Sequence, residues 1–391
     1  VLFCHEIQAP AGFAGVYFFE RSMHMQPMND KSYMQLAIQM AAIAQGQTSI
    51  NPVVGCVLVR DGEVVGMGAH LRRGEAHAEV QALRMAGNRA NGSTAYVTLE
   101  PCCHYGKTPP CADQLIAAGV KRVVVAATDP HHHVAGKGIE VLRASDIEVE
   151  VGLCADEAEK LNVAFRHYIQ TRTPYVTYKA ATTLDGKTAT ASGESKWITG
   201  EAARELVHTM RHQNEAIMVG IGTVLADNPS LTTRLSVPAR NPIRIIVDSQ
   251  LRIPFDAKVV TDGEAQTWVV TTEHASKEKE WALMEHDVRV IRCGEGEQVD
   301  LALMMKRLGE LEVPSILLEG GGRLAGAMLE QGLIHALAWF VAPKLIGGGQ
   351  APVGLNWPGV TAMSEAHMLS DMQSVSVGDD ILITARLTER K

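Results

Sequence analysis

Two consecutive α/β domains are what this sequence predicts, and three observations carry that expectation. Apolar runs of strand length alternate with helix-length segments through both halves of the chain. The length, 391 residues, is between two and three times the roughly 150 residues of an average domain. A polar break, Gln170-Thr171-Arg172-Thr173-Pro174, separates the halves, so the domains are expected at 29–172 and 173–391.

Residues 1–28 stand outside this scheme as a leader or added extension. Segment 1–22 is mildly apolar and aromatic but has no initiator Met, basic n-region or small-residue cleavage site, and Met23, Met25 and Met28 all suit a natural start. A helix is expected from Asp30 as N-cap through Tyr33, Leu36, Ala37, Met40 and Ala41 at a period near 3.6, stopping near Gly46. Strands 53–59 and 64–67 flank the Asp61-Gly62 turn and read as a hairpin. Helix 77–86, strand 94–99, helix 111–118 with Gly119 at its C-cap, and strand 121–127 complete a three-layer pattern. One amphipathic helix, 156–168, leads to the break.

The second half opens with strand 175–181, then helix 200–212 and strand 215–219. The apolar runs 243–247, 268–271 and 288–291 read as buried strands. Strand 316–318 runs into Glu319-Gly320-Gly321-Gly322 and helix 324–330, and strands 338–341 and 381–385 close the chain.

Composition narrows the function. Hydrophobic residues at 46% and charged residues at 20% exclude a largely disordered chain, and no run reaches the ~18 apolar residues of a membrane span. Thirty-six basic against 44 acidic residues give a net charge of −8, which argues against nucleic acid or anionic lipid as partner. The cysteines at 4, 56, 102, 103, 111, 154 and 293 are odd in number and irregularly spaced. They suit free thiols or metal ligands in a reducing cytoplasm better than a disulfide framework.

One constellation carries chemistry. His77-Ala78-Glu79, Pro101-Cys102 and Cys111 supply an imidazole, two thiolates and a carboxylate. Three protein ligands leave zinc one tetrahedral position for water, the catalytic arrangement. The nearby Glu79, not itself a ligand, is placed to shuttle protons. H-x-E followed by P-C-x-x-C is the signature of zinc deaminases acting on base rings, here with a wider gap of eight residues between Cys102 and Cys111. Both motifs fall at expected helix starts, where the dipole favours thiolate. Cys103 competes with Cys102 as ligand, and Pro101 favours Cys102.

The segments Asn51 to Cys56, Gly74 to Glu79 and Thr98 to Cys111 resemble the deaminase half of the bifunctional riboflavin biosynthesis deaminase-reductase family. Lys179 to Lys187, Ser192 to Thr199, Gly222 to Leu231 and Glu319 to Gly326 resemble its reductase half. The resemblance spans about residues 29–388. It implies an N-terminal cytidine-deaminase-like three-layer domain followed by a C-terminal dihydrofolate-reductase-like α/β domain. It also implies hydrolytic deamination of 2,5-diamino-6-(5-phosphoribosylamino)pyrimidin-4(3H)-one, then NADPH reduction of the product's ribosyl side chain to ribityl.

By the same resemblance, Zn2+ is held by His77, Cys102 and Cys111, Glu79 is the proton shuttle, and Asn51, His104 and Lys107 line the pyrimidine and phosphate pocket. Val53 departs from the usual Asn or Pro at its position. NADPH contacts are implied for Ala181, Trp197, Thr223, Asp227, Ser249, Gly321, Gly322, Arg323, Leu324, Ala325, Gly326 and Ala327. Substrate contacts of the reductase are implied for Ser195, Arg211, Leu231, Arg234 and Glu319. In outline the residues permit this: a strand, three glycines and a helix start offer N–H groups to phosphate, and Arg211 and Arg234 suit bidentate phosphate bonds.

Two other readings compete. One is a zinc deaminase of a free nucleotide or tRNA base with an unrelated C-terminal reductase, which the acidic charge and long cysteine gap oppose. The other is a non-catalytic zinc-stapled binding module, which has no use for Glu79. Phosphorylated pyrimidines are the expected small-molecule partners, and the sequence leaves monomer and homo-oligomer both open.

Overall fold

The computed structural model describes residues 28–105, 109–130 and 135–388. Among these the chain divides between Arg172 and Thr173 into two compact units. Apart from Met28, the leader expected at 1–28 lies outside the described residues, as does Lys107.

The N-terminal unit is α1 (Asp30–Ile43), β1 (Gly55–Arg60), β2 (Glu63–Ala69), α2 (Ala78–Ala86), β3 (Thr94–Leu99), α3 (Cys111–Ala117), β4 (Arg122–Ala127), α4 (Lys137–Ala144), β5 (Glu148–Val151), α5 (Ala155–Leu161) and α6 (Val163–Thr171). Its sheet runs β2-β1-β3-β4-β5, antiparallel on the hairpin side and parallel from β3 to β5. Asp61 and Gly62 both take positive φ, 52° and 78°, as a two-residue hairpin turn demands. Glycines set the layer spacing: a Cβ on Gly55 would stand 2.0 Å from the Ala37 carbonyl of α1, and one on Gly68 2.2 Å from the Ala78 carbonyl of α2. Gly55 pairs with Ala69, next to Gly68, so α1 and α2 cover opposite faces.

Three expectations need correction here. The N-cap is Asn29, whose side chain accepts from the Ser32 N–H. Asp30 instead accepts from the Tyr96 hydroxyl at 2.6 Å and Arg122 at 2.8 Å. α1 also ends at Ile43, short of Gly46. The single helix 156–168 is two helices, broken at Asn162, whose amide accepts from the Val53 N–H (2.8 Å) and donates to its C=O (2.9 Å). That long-range pairing outweighs continued helix. α4 and β5 went unforeseen because both are short and mix charged with apolar residues, with no strong cap or long apolar run to mark them.

The C-terminal unit comprises β6 (Tyr175–Thr183), α7 (Glu201–Gln213), β7 (Ala216–Gly220), α8 (Ile221–Asp227), β8 (Ile243–Val247), α9 (Lys258–Thr261), β9 (Thr267–Thr271), α10 (Lys277–Met284), β10 (Val288–Arg292), α11 (Leu301–Glu310), β11 (Ser315–Glu319), α12 (Gly322–Glu330), β12 (Ala336–Ala342), β13 (Leu369–Val377) and β14 (Asp380–Leu387). One sheet holds them in the order β10-β9-β8-β7-β11-β6-β12-β14-β13. It is parallel from β10 to β12, with β14 and β13 antiparallel at one end. β11 inserts between β7 and β6, so the strand order reverses there, the kind of place where open α/β sheets bind ligands at the carboxyl ends of their strands.

Candidate active sites

In the N-terminal unit, His77 is the N-cap of α2 with extended backbone, and Glu79 lies in the first helical turn. Leaving the helix there removes the divergence of residues two apart in mid-helix. Cys102 follows β3, and Cys111 opens α3 behind Pro110. His77 Nδ1 lies 3.2 Å from Cys111 Sγ and 3.6 Å from Cys102 Sγ. The three ligand atoms all fall within 4.8 Å of one another. Cys103 is outside the cluster, which separates the two candidates that adjacency left open.

The electrostatics fit a cation. A hydrogen bond with Cys111, opposed by burial and helped by His77, brings the Cys102 thiol well below its ordinary range. The same bond pushes Cys111 up, so the pair shares a proton that a metal ion would displace. The bond to Cys102 also raises His77. Glu79 is buried, and desolvation pushes it up to about 7. Its Oε2 has no hydrogen-bond partner among the described residues, and such an orphaned oxygen is costly unless a ligand meets it. An imidazole and two thiolates are a zinc donor set with one coordination position left over.

Asn51 Nδ2 lies 3.1 Å from His70 Nε2, and the His70 ring stands edge-on to His77 at 5.3 Å. His70 was not singled out from sequence; a histidine four residues before the Gly74 to Glu79 segment was the available signal, and its burial appears only in the fold. His104 is exposed on the loop between Cys103 and Cys111.

In the C-terminal unit Thr223, Ser249 and Gly320-Gly321 follow closely on the carboxyl ends of β7, β8 and β11, Glu319 ends β11, and Ala181 lies near the end of β6. Thr223 sits on α8 directly after β7, and Gly320 and Gly321 follow β11 at φ 71° and 74°, where a side chain would be strained. A Cβ on Gly320 would lie 3.2 Å from Thr223 Oγ1. The next glycines serve packing: Cβ atoms on Gly322 and Gly326 would stand 2.7 Å from the Val353 carbonyl and 2.5 Å from the Asn356 carbonyl. Arg323 is exposed, Leu324 and Ala327 are half-buried, and Ala325 belongs to the core. Ala325 and Gly326 therefore face protein, which runs against a cofactor contact through their side-chain positions.

Ala181 lies half-buried on β6, Ser195 half-buried before α7, and Asp227 exposed at the end of α8. Trp197 is 64% exposed, with the Arg204 guanidinium 4.6 Å from its ring centre. Ser249 Oγ accepts from the Val299 N–H at 3.2 Å and contacts Gln298 at 3.4 Å. Leu231 is buried with φ 53°. The Asp185-Gly186 turn also acts as a tether: Asp185 accepts from the Thr183 hydroxyl and from the N–H groups of Ile346 and Gly347.

Arg211 departs from expectation. It donates to both oxygens of Glu319 at 2.7 and 3.0 Å and to the Thr232 carbonyl at 2.9 Å. Its bidentate edge is therefore committed to a buried carboxylate. Lys179 Nζ lies 3.5 Å from Glu319. Burial opposes ionisation of Glu319, yet Arg211 and Lys179 hold it at about 2. Arg234 is exposed; its Nη1 reaches Thr232 Oγ1 at 3.3 Å and its backbone N–H donates to His208 Nδ1. Burial, then Arg211 and Arg234, lowers His208 to about 4. The sequence offered Lys179 only as part of a motif and gave no reason to choose His208.

Residues 174–383 match the RibD C-terminal domain, and residues 27–127 match the cytidine and deoxycytidylate deaminase zinc-binding region. The chain belongs to the RibD family. Riboflavin biosynthesis protein RibD of Bacillus amyloliquefaciens is 45% identical over 356 residues, 91% of this chain and 96% of that protein. The Escherichia coli K12 RibD is 44% identical over 370 residues, 91% and 99%. Among solved structures, Acinetobacter baumannii RibD superposes with a TM-score of 0.82 at 39% identity, over 92% of this chain and 99% of that one. A Thermotoga maritima diaminohydroxyphosphoribosylaminopyrimidine deaminase/5-amino-6-(5-phosphoribosylamino)uracil reductase gives 0.81 at 34%, with the same coverage. As a RibD-family member the chain is a bifunctional deaminase and reductase of riboflavin biosynthesis. It joins a cytidine-deaminase-like domain to a dihydrofolate-reductase-like one. The RibD match across both halves decides against a nucleotide or tRNA-base deaminase fused to an unrelated reductase. Among the described residues no helix is long and apolar enough to cross a membrane.

Proposed function

We propose that residues 29–172 deaminate 2,5-diamino-6-(5-phosphoribosylamino)pyrimidin-4(3H)-one and that residues 173–391 reduce the resulting 5-amino-6-(5-phosphoribosylamino)uracil with NADPH. The observation that carries the first half is the His77, Cys102, Cys111 cluster beside the buried, unpartnered Oε2 of Glu79. These three side chains would hold Zn2+, which would supply the Lewis acidity that makes water a nucleophile near neutral pH. Glu79 takes a proton from the attacking water at Oε2 and returns it to the departing amine. Asn51, His104 and Lys107 bind the substrate.

In the reductase, α12 and its preceding glycines, with Ala181, Trp197, Thr223, Asp227 and Ser249, position NADPH. Ser195, Leu231, Glu319 and the two arginines form the substrate side. Because Arg211 is held by Glu319, Arg234 is the arginine with a free edge for the substrate phosphate. The substrates are small molecules, nucleic acid is not among the partners, and the enzyme works in the cytoplasm.

The test follows ammonia release and NADPH oxidation separately, with the diaminopyrimidine as substrate. Zinc-loaded protein is expected to release ammonia and then consume NADPH, and residues 173–391 alone to reduce the deaminated intermediate. Zinc-loaded protein that releases no ammonia would refute the deaminase assignment. A folded 173–391 fragment that consumes no NADPH would refute the reductase assignment.

A further inference from the structure

Glu100 is a charged residue at the end of a buried strand, one residue before Pro101-Cys102, and only 4% exposed. Among the described residues its partners are four backbone N–H groups. Oε1 accepts from Gly138 at 2.9 Å and Ile139 at 3.4 Å, and Oε2 accepts from Gly136 at 2.9 Å and Asp129 at 3.2 Å. α4 begins with Gly136 as N-cap, which has no side chain to satisfy the first N–H groups of the helix. A carboxylate from 38 residues earlier does so instead, and its charge suits that end of the dipole. Gly138 permits the approach: a Cβ there would stand 2.0 Å from the Pro101 carbonyl. On the other side, α3 holds the same loop, since the Ala112 N–H donates to the Cys102 carbonyl at 3.2 Å and the Cys111 N–H to Cys102 Sγ at 3.3 Å.

We propose that Glu100 is a positioning residue of the deaminase: it clamps the Pro101-Cys102 loop to the start of α4 so that the Cys102 thiolate meets His77 and Cys111 at the metal. The inference rests on the zinc reading above. Among the described residues Glu100 bonds only backbone N–H groups, and it acts through the backbone that carries a ligand. Partners that hydrogen-bond a ligand directly are typically worth about 10–100-fold in metal affinity, and Glu100, one step further out, takes the lower end of that range.

The test is Glu100→Gln, which keeps the shape but turns one acceptor oxygen into an NH2 group, so two of the four N–H groups lose their partner. Zinc affinity is read by competition with a chromogenic chelator, alongside the melting of zinc-free protein. Asp30→Asn is the control for a merely structural loss, since Asp30 binds Tyr96 and Arg122. Glu100→Gln is expected to weaken zinc about tenfold, whereas Asp30→Asn lowers the melting temperature and leaves zinc affinity within about twofold. A loss below about threefold in Glu100→Gln overturns the proposal whatever happens to stability, and a larger loss supports it. If that variant fails to fold, Glu100→Asp keeps the charge, withdraws it by one methylene, and is judged by the same threshold. Wild-type protein that takes up no zinc overturns the metal reading itself, an outcome distinct from a wild type and Glu100→Gln that bind zinc equally.

Discussion

Replacing Glu319 by Gln should cost the C-terminal unit several kcal/mol, and the cost should shrink in acid. Glu319 is buried between Arg211, which it binds through both oxygens, and Lys179. The neutral amide leaves two buried cations without their counter-charge, and breaking such a group from one side typically costs about 3–5 kcal/mol. The titration gives a second measure. Glu319 is held at about 2 against an ordinary 4.5, and at about 1.4 kcal/mol per tenfold in proton affinity that gap is worth about 3 kcal/mol. The sign follows from a lowered pKa: this stabilisation is complete above about 4.5 and is lost as pH falls toward about 2. All five tryptophans, 197, 268, 281, 339 and 357, lie after the unit boundary, so tryptophan fluorescence in urea reports this unit alone. Wild type and variant should differ by about 3–5 kcal/mol at pH 7 and pH 5, and progressively less below pH 4.5. A difference under about 1 kcal/mol at pH 7, or one that grows on acidification, would refute the buried ion-pair reasoning.

Glu79→Gln should retain stoichiometric zinc and lose deamination by about 10²–10⁴-fold, the usual worth of a general acid-base group; ammonia release at the wild-type rate would show that protons travel by another route. Stripping the metal with dipicolinate should abolish ammonia release and spare NADPH oxidation on pre-deaminated substrate, and added zinc should restore the first activity; a parallel fall in both would count against separate sites. Asn162→Ala should cost about 2–4 kcal/mol, because the N–H and C=O of Val53 lose their partners at once. Its urea transition should move by far-UV circular dichroism while the tryptophan transition stays in place, and coincident shifts would contradict that locality.

Much of the fold was legible because parallel strands buried on both faces read as uninterrupted apolar runs. β9 and β11 are of that kind, buried along their whole length; β8 and the edge strand β10 each carry an arginine in the run, Arg244 and Arg289, and still lie within a residue of their expected bounds. β13 was missed because its nine residues are largely exposed and polar, with nothing but pairing to β14 to mark them as a strand. The metal cluster was legible because His77, Glu79 and Cys111 lie at helix starts, positions that local sequence signals well. Glu100 and His70 were overlooked because their partners lie elsewhere: loop N–H groups up to 39 residues on for one, Asn51 for the other.

By itself, then, the sequence determined the two-domain α/β plan, the candidate His and Cys ligand types and the family resemblance, all of which depend on residue type and short spacing. Tertiary structure decided that Cys102 rather than Cys103 joins the cluster. It also decided that Asn162 breaks a helix to hold Val53, and that Arg211 is spent on Glu319 instead of standing free for phosphate. Each of these turns on a polar group finding a partner tens of residues away. Burial makes an unpaired donor, acceptor or charge expensive, but which partner answers it is set only when the chain is folded.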